Sequence, residues 1–497
     1  MNSQIRRVGL TMLVLFIGLV AQLTYLQLVR ADDLKNDPNN VRVFLKDYSK
    51  PRGFILSREG DILAQSVETD DDLEFMRVYP PETAQLFAHV VGYQSVNFGN
   101  VGVEAEYNDE LVGRDARLLE DIGDFNDLFS GRDVRGNVVL TMSRQAQQLA
   151  ADALAGQRGA VVVLDVVSGA IVAAYSNPTF DPNPLASHDT QVASDTFKFL
   201  NAHPDQPMLQ RAWRRIFPPG STFKVVTSGV GLENELTPEG APPYRLTLDQ
   251  PVYPTLTELD LPLTDRTLQN FGGSSCGGNL RASFRVSCNT TFGQIGLDLG
   301  DKLAAGIEDY GVSTDPANTD LRPELVRSIG PEPGTFEQNA PLFAQAAIGQ
   351  GEIAVTPLQM AMIAQAVAND GVMMVPHVRD HIENADGQES QNYQPREYSR
   401  AMSATTAAQI TEMMIDVVNN GTGTNAQIPG IQVAGKTGTA QVQDEAAHAW
   451  FIGFAPAEQP QYAIAVLVEN GGNYAEATGG RVAAPIARQV LAGLLGG

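Results

Sequence analysis

The chain has 497 residues, enough for two or three folding units. Apolar residues make up 43% and charged residues 19%, a balance that fills large cores and excludes global disorder. Acidic residues outnumber basic ones 58 to 34, and the resulting charge of −24 excludes a nucleic-acid binder, which needs a basic face to neutralise phosphates. Two cysteines exclude a cysteine-rich zinc module or a dense disulfide scaffold. The six histidines (His89, His188, His203, His377, His381 and His448) show no metal-ligand spacing, so no metal is expected.

Residues 8–29 form a run of 22 residues without a charge. At about 1.5 Å per residue this helix crosses a hydrocarbon core of about 30 Å. Arg6 and Arg7 precede it, and Arg30, Asp32, Asp33 and Lys35 follow with mixed sign. The positive-inside rule then places residues 1–30 as a cytoplasmic tip and single-pass anchor, with everything after them extracytoplasmic. A cleaved signal peptide is the alternative, but the run exceeds a usual signal core and no A-x-A site closes it. Outside the membrane, Cys276 and Cys288 can oxidise to a disulfide. Two unpaired core thiols are the other reading, and the compartment favours the bridge.

Residues 31–155 read as a small α+β N-terminal module that opens with a polar stalk over 31–50. Asp-rich breaks fall at Asp70–Asp72 and Asp121–Asp127. Residues 144–155 predict a helix with Ser143 as its N-cap. The larger domain, 156–497, starts with two apolar runs, 160–164 and 170–174, separated by Ser168-Gly169: two buried strands and a tight turn. Helices are predicted over 222–233, 290–308 and 357–368, the last with Thr356 capping and Pro357 at the first helical position. Residues 384–398 read as a polar surface loop. Three strand-like runs, 433–442, 449–455 and 462–468, form an antiparallel meander that a last helix, 484–495, covers. No internal repeat is present. The expected fold is α+β: an antiparallel sheet covered by helices, plus an inserted helical subdomain.

Three short motifs carry chemistry. In Phe217-Pro218-Pro219-Gly220-Ser221-Thr222-Phe223-Lys224, the Pro-Pro-Gly stops the preceding chain and a helix starts near Ser221. Residues three apart share a helix face, so Lys224 reaches the Ser221 hydroxyl. A serine hydroxyl becomes a nucleophile when a base takes its proton. Lys224 is that base only when neutral, and bringing its pKa from about 10.4 to near 7–8 costs about 4 kcal/mol. Burial and a second cation both push that way. The second motif, Ser287-Cys288-Asn289, presents a hydroxyl and a carboxamide to one cleft. The same form occurs at Ser95-Val96-Asn97 and Ser390-Gln391-Asn392, which read as ordinary turns. The third, Lys436-Thr437-Gly438-Thr439-Ala440, opens the meander. Strand alternation puts Lys436 and Gly438 on one face and Thr437 and Thr439 on the other, and a strand Gly often marks a close approach.

Ser-x-x-Lys, Ser-x-Asn and Lys-Thr-Gly, in that order, are the signature of penicillin-binding proteins and class A β-lactamases. The chain resembles a class B penicillin-binding protein, and within that family the actinobacterial A type. The resemblance extends over nearly the whole chain. It includes Arg52-Gly53-Phe54-Ile55-Leu56-Ser57-Arg58-Glu59-Gly60, Gly102-Val103-Glu104-Ala105-Glu106-Tyr107, Gly349-Gln350-Gly351-Glu352, Ala449-Trp450-Phe451-Ile452-Gly453-Phe454 and Gly479-Gly480. Cys288 stands where members of this signature commonly have Asp, a position that varies in class B members.

The resemblance implies a penicillin-binding, serine β-lactamase-like transpeptidase domain after a pedestal or dimerisation-like module. It implies a D,D-transpeptidase that cross-links peptidoglycan stem peptides in growth and division, and that β-lactams acylate. Ser221 would be the nucleophile and Lys224 the general base. Ser287 would relay a proton, and Asn289 would hold the acyl chain and orient Lys224. Lys436, Thr437, Gly438 and Thr439 would bind the terminal carboxylate, and the N–H groups of Ser221 and Thr439 would form the oxyanion hole. No cofactor is implied; a glycosyltransferase or divisome partner is. A D,D-carboxypeptidase or β-lactam hydrolase shares the motifs, and a non-enzymatic penicillin-binding sensor or scaffold is the third alternative. The anchor and N-terminal module weigh against the second, and the intact Ser221/Lys224 pair against the third.

Overall fold

A computed structural model describes residues 2–28, 30, 48–115, 135–442, 445–471 and 477–496. Most of the predicted stalk and the Asp121–Asp127 break lie outside these residues. The chain divides into two compact units, Met1–Arg52 with Ser66–Met76, and Gly53–Gln65 with Arg77–Gly497.

The first unit carries the helix Asn2–Leu28. Its stretch Arg6–Gln27 is long and apolar enough to cross a membrane, and none of it is buried in protein. The hydroxyls of Thr11 and Thr24 bond the carbonyls of Arg7 and Val20 at 3.0 and 2.8 Å. Hydroxyls satisfied within the helix do not oppose an apolar surrounding. The predicted break at Asp70–Asp72 is a turn: Thr69 N–H donates to Glu74 O, and Asp71 accepts from Leu73 N–H.

In the second unit, a five-stranded antiparallel sheet runs in the order 434–442, 445–455, 462–468, 159–165 and 171–177. The three C-terminal strands are the expected meander, and the first two strands close its far side. Alternation along each strand feeds two cores. Val161, Val163, Ile464, Val466 and Phe451 face the helices Arg144–Leu154 and Ala483–Leu495. Ala160, Val162, Ala463, Ala465 and Ile452 face the other way, toward the helix Pro357–Ala368. Alanines on this second face let a helix that is buried on all sides approach the sheet. Thr356 caps it by accepting from Gln359 N–H, and Ser143 caps Arg144–Leu154 by accepting from Ala146 N–H.

The boxes of the N-terminal module meet around one buried ion pair. Arg77 Nε bonds Glu104, and Arg77 Nη1 donates to Gly53 O at 2.8 Å. A Cβ on Gly53 would lie 1.9 Å from Gly136 O, which explains a Gly at that position. Tyr107 donates to Asp320 at 2.7 Å, and the same carboxylate accepts from Val378 and Arg379 N–H.

Three sequence expectations need correction. Residues 384–398 are not simply loop: Glu389–Asn392 and Glu397–Arg400 are strands. Glu389–Asn392 pairs with Arg379–Glu383, which in turn pairs with Asn137–Leu140 of the N-terminal module. Ser390-Gln391-Asn392 is therefore strand and not turn. These polar outer strands carry no apolar alternation, so their pairing is set by the neighbouring strand. Third, the helix expected over 290–308 is two helices, Asn289–Leu299 and Asp301–Gly306, broken where Gly300 takes φ 54°.

Cys276 and Cys288 are bonded, with their Cα atoms 5.7 Å apart. Cys276 lies in the short strand Cys276–Gly278, and Cys288 links the helices Leu280–Val286 and Asn289–Leu299. The bridge thus clamps the Ser287/Asn289 segment to a neighbouring hairpin. The purified chain should be two hydrogens lighter than its reduced form, and alkylation without reductant should label neither cysteine; labelling of both would refute the bridge.

Candidate active site

The nucleophile candidate is delivered by a proline turn. Pro218 and Pro219 have no N–H, and Gly220 takes φ 54°, in the region that favours glycine. The predicted helix over 222–233 starts later than expected. Gly220–Phe223 is a 3₁₀ turn, and the α-helix runs from Lys224 to Glu233. Ser221 and Lys224 remain three apart on one face across that change of pitch.

Lys224 Nζ lies 3.1 Å from Ser221 Oγ, 2.7 Å from Asn289 Oδ1, 2.7 Å from Ser287 O and 3.2 Å from Ser287 Oγ. A neutral amine has two N–H donors and a lone pair. Its donors suit the two short contacts to carbonyl oxygens, which leaves the lone pair for the Ser221 hydroxyl. The side chain is fully buried, and burial holds its pKa well below the usual lysine range, with the Lys436 charge pushing the same way.

Ser287 ends the helix Leu280–Val286 in a left-handed conformation, φ 64°. That position costs a non-glycine residue on the order of 1 kcal/mol or more. It turns the Ser287 hydroxyl between two lysines, 2.9 Å from Lys436 Nζ and 3.2 Å from Lys224 Nζ. Asn289 begins the next helix. Its Nδ2 donates to Gln269 O at 2.9 Å, which fixes the amide so that Oδ1 faces Lys224.

Lys436 sits in the edge strand Ala434–Val442. It is fully buried, and burial lowers its pKa to about 7. Gly438 backs directly onto the nucleophile turn. A Cβ there would lie 2.7 Å from Pro219 O and 2.9 Å from Thr222 Cγ2. Gly220 presents the reciprocal contact, since its Cβ would lie 2.6 Å from Thr439 O. Thr437 and Thr439 point to the other side of the strand, as alternation requires. Thr437 bonds the Thr422 hydroxyl at 2.6 Å, and Thr439 Oγ1 accepts from Gly479 N–H at 3.3 Å.

These groups surround a cleft of about 940 Å³. Ser221, Ser287, Asn289, Thr437 and Thr439 line it, with Thr267–Gly273 on one wall and Thr478, Gly480 and Arg481 on another. Among the described residues, none that lines the cleft is acidic, in a chain with 58 acidic residues. The structure therefore brings all eight non-cysteine site candidates into one cluster. The sequence reading assigned no role to Gln269, Thr422 or Thr478. The Gln269–Asn289 and Thr422–Thr437 bonds join residues 20 and 15 positions apart, which no local spacing announces, while the Thr478 hydroxyl accepts from Arg481 N–H.

Comparison with known proteins agrees with this geometry. Residues 159–492 match the penicillin-binding protein transpeptidase domain, and residues 52–139 the penicillin-binding protein A dimerisation domain. The chain is 39% identical to the peptidoglycan D,D-transpeptidase PbpA of Mycolicibacterium smegmatis, over 100% of this chain and 99% of the other. It is 37% identical to PbpA of Mycobacterium tuberculosis, over the full length of both. Among solved structures, penicillin-binding protein A of M. tuberculosis as a ceftriaxone acyl-enzyme superposes with a TM-score of 0.80 at 35% identity, covering 91% of this chain and 100% of that one. Its penicillin G acyl-enzyme gives 0.79 at 36%, covering 90% and 100%. With its signature residues gathered at one cleft and both of its modules matched, the chain belongs to the penicillin-binding protein transpeptidase family.

Proposed function

We propose that the chain is a membrane-anchored peptidoglycan D,D-transpeptidase that works through a Ser221 acyl-enzyme and is acylated by β-lactams. The observation that carries the reading is the Lys224 amine, buried, without a carboxylate partner among the described residues, and 3.1 Å from the Ser221 hydroxyl.

Lys224 takes the proton of Ser221 as Oγ attacks the carbonyl between the two terminal D-alanines of a stem peptide. The N–H groups of Ser221 and Thr439 stabilise the oxyanion, on the two backbones that Gly220 and Gly438 bring into contact. The tetrahedral intermediate collapses with loss of D-alanine. Ser287, hydrogen-bonded to both lysines, passes a proton toward the departing amine. Asn289 orients Lys224 and holds the acyl chain. Lys436, with Thr437 and Thr439, receives the terminal carboxylate. An amine of a second stem peptide then takes the acyl group and regenerates Ser221. Arg6 and Arg7 before the apolar helix support a cytoplasmic N-terminus and an extracytoplasmic catalytic domain. Residues 31–155 serve as a pedestal that meets a glycosyltransferase or divisome partner, and 156–497 as the catalytic domain.

Fluorescent penicillin added to the chain should give a stable adduct that Ser221→Ala abolishes. An adduct on that variant refutes the nucleophile assignment, and rapid loss of the wild-type adduct moves the enzyme to the hydrolases. Lys224→Met should slow acylation by about a thousandfold with the fold intact, as loss of a general base does; a rate near wild type removes Lys224 from the mechanism.

The pH dependence follows from the two lysines. Lys224 is active when deprotonated, so acylation should rise with pH through its depressed pKa. Lys436 binds carboxylate when protonated, so kcat/KM should fall as pH rises past about 7. The profile is a bell whose limbs belong to the coupled pair. Lys436→Gln should lose the descending limb, and a limb unchanged in that variant would contradict the assignment.

A further inference from the structure

The nucleophile turn and the edge strand touch backbone to backbone. No side chain separates Gly438 from Pro219 or Gly220 from Thr439. Their spacing therefore depends on how the turn is tethered to the sheet. Pro218 and Pro219 offer no N–H, so their carbonyls are their only backbone handles. The Pro219 carbonyl is used inside the turn, by the Thr222 hydroxyl at 2.8 Å. The Pro218 carbonyl accepts from the indole N–H of Trp450 at 2.9 Å.

Trp450 is fully buried in the strand Glu445–Ala455, directly opposite Gly438 in the register. Its neighbour Ala449 is opposite Thr439. The ring also meets Phe217 edge to face, with centroids 6.4 Å apart, and Phe217 packs against His448 at 5.4 Å on the same strand. Outside the turn, Phe217 and Gly220 are held by backbone bonds to Val355 and Gly349, which belong to a different segment. Among the described residues, the indole is the hydrogen-bond donor that ties the proline pair to the strand carrying Thr439's partner.

We propose that Trp450 is a positioning residue for acylation: its indole N–H, through the Pro218 carbonyl, sets the Ser221 backbone at the distance from Thr439 that the oxyanion requires. The inference rests on the reading of Ser221 as nucleophile. Trp450 touches no reacting atom. Without its N–H, the part-buried Pro218 carbonyl loses its donor from the sheet, and the turn moves to find another. A shift well below an ångström at an oxyanion site is felt in the rate.

The test compares full-length wild type, Trp450→Phe and Ser221→Ala in detergent. Stopped-flow capture of fluorescent penicillin separates the non-covalent Kd from the first-order acylation constant. Affinity for a peptidyl boronic acid, whose tetrahedral adduct occupies the oxyanion site, is read alongside. Trp450→Phe should lower the acylation constant and the boronate affinity by the same factor, about tenfold. Its Kd for penicillin should stay at the wild-type value, and its melting temperature should fall by only a few degrees, with the protein fully folded at the assay temperature. An unchanged acylation constant overturns the proposal, and so does a loss that appears in Kd or that matches a loss of folded protein. If phenylalanine leaves a cavity that unfolds the chain, 3-benzothienylalanine at position 450 carries the same test, because it replaces only the N–H by sulfur. An adduct on Ser221→Ala sinks the nucleophile reading itself. No adduct there, with wild-type behaviour at position 450, sinks this inference alone.

Discussion

Two lysines buried together without an acid are the constraint around which the site is arranged. Lys224 and Lys436 are both fully buried, both bond the Ser287 hydroxyl, and among the described residues neither has a carboxylate partner. A carboxylate in the cleft would stabilise their charged forms and raise their pKa values. Among the described residues the cleft lining carries no acidic side chain, in a chain of charge −24, so the burial that lowers both lysine pKa values meets no opposing charge there. In the proposed mechanism a desolvated lysine takes the role that a histidine has in other serine enzymes.

The rest of the fold holds those lysines in register. The Lys436 strand is an edge strand, so its outer side is open to the cleft while its inner side is locked to Glu445–Ala455. The sheet is fixed on both faces, by Arg144–Leu154 and Ala483–Leu495 on one and by Pro357–Ala368 on the other. The helical insertion brings Ser287 and Asn289 to the opposite wall, and the Cys276–Cys288 bridge constrains the segment that carries them. Glycines at 220 and 438 then allow the last approach, where any side chain would force turn and strand apart.

Much of this was legible in the residues. The strand runs 160–164, 170–174 and 462–468 are apolar without interruption because both faces of the sheet are covered. Thr356-Pro357 and Ser143 announced their helices through cap chemistry that is local by nature. The three site motifs were readable because each is a short spacing with a chemical purpose. The polar strands Glu389–Asn392 and Glu397–Arg400 were not legible, since neither face of them carries an apolar stripe. The break at Gly300 was missed because an isolated Gly in an otherwise periodic helix is commonly tolerated.

The family, the anchor-length helix, the α+β architecture and the identity of the groups that cluster at the cleft can all be read along the chain. Those depend on composition, periodicity and spacings of a few residues. Folding in three dimensions is what makes Lys224 and Lys436 share one hydroxyl, Gln269 orient Asn289, residues 379–392 extend the sheet of the N-terminal module, and Trp450 hold Pro218. Each of these joins residues that are distant in the chain. Desolvation and hydrogen bonding act through space, and a linear pattern does not record which distant groups will be brought within 3 Å of one another.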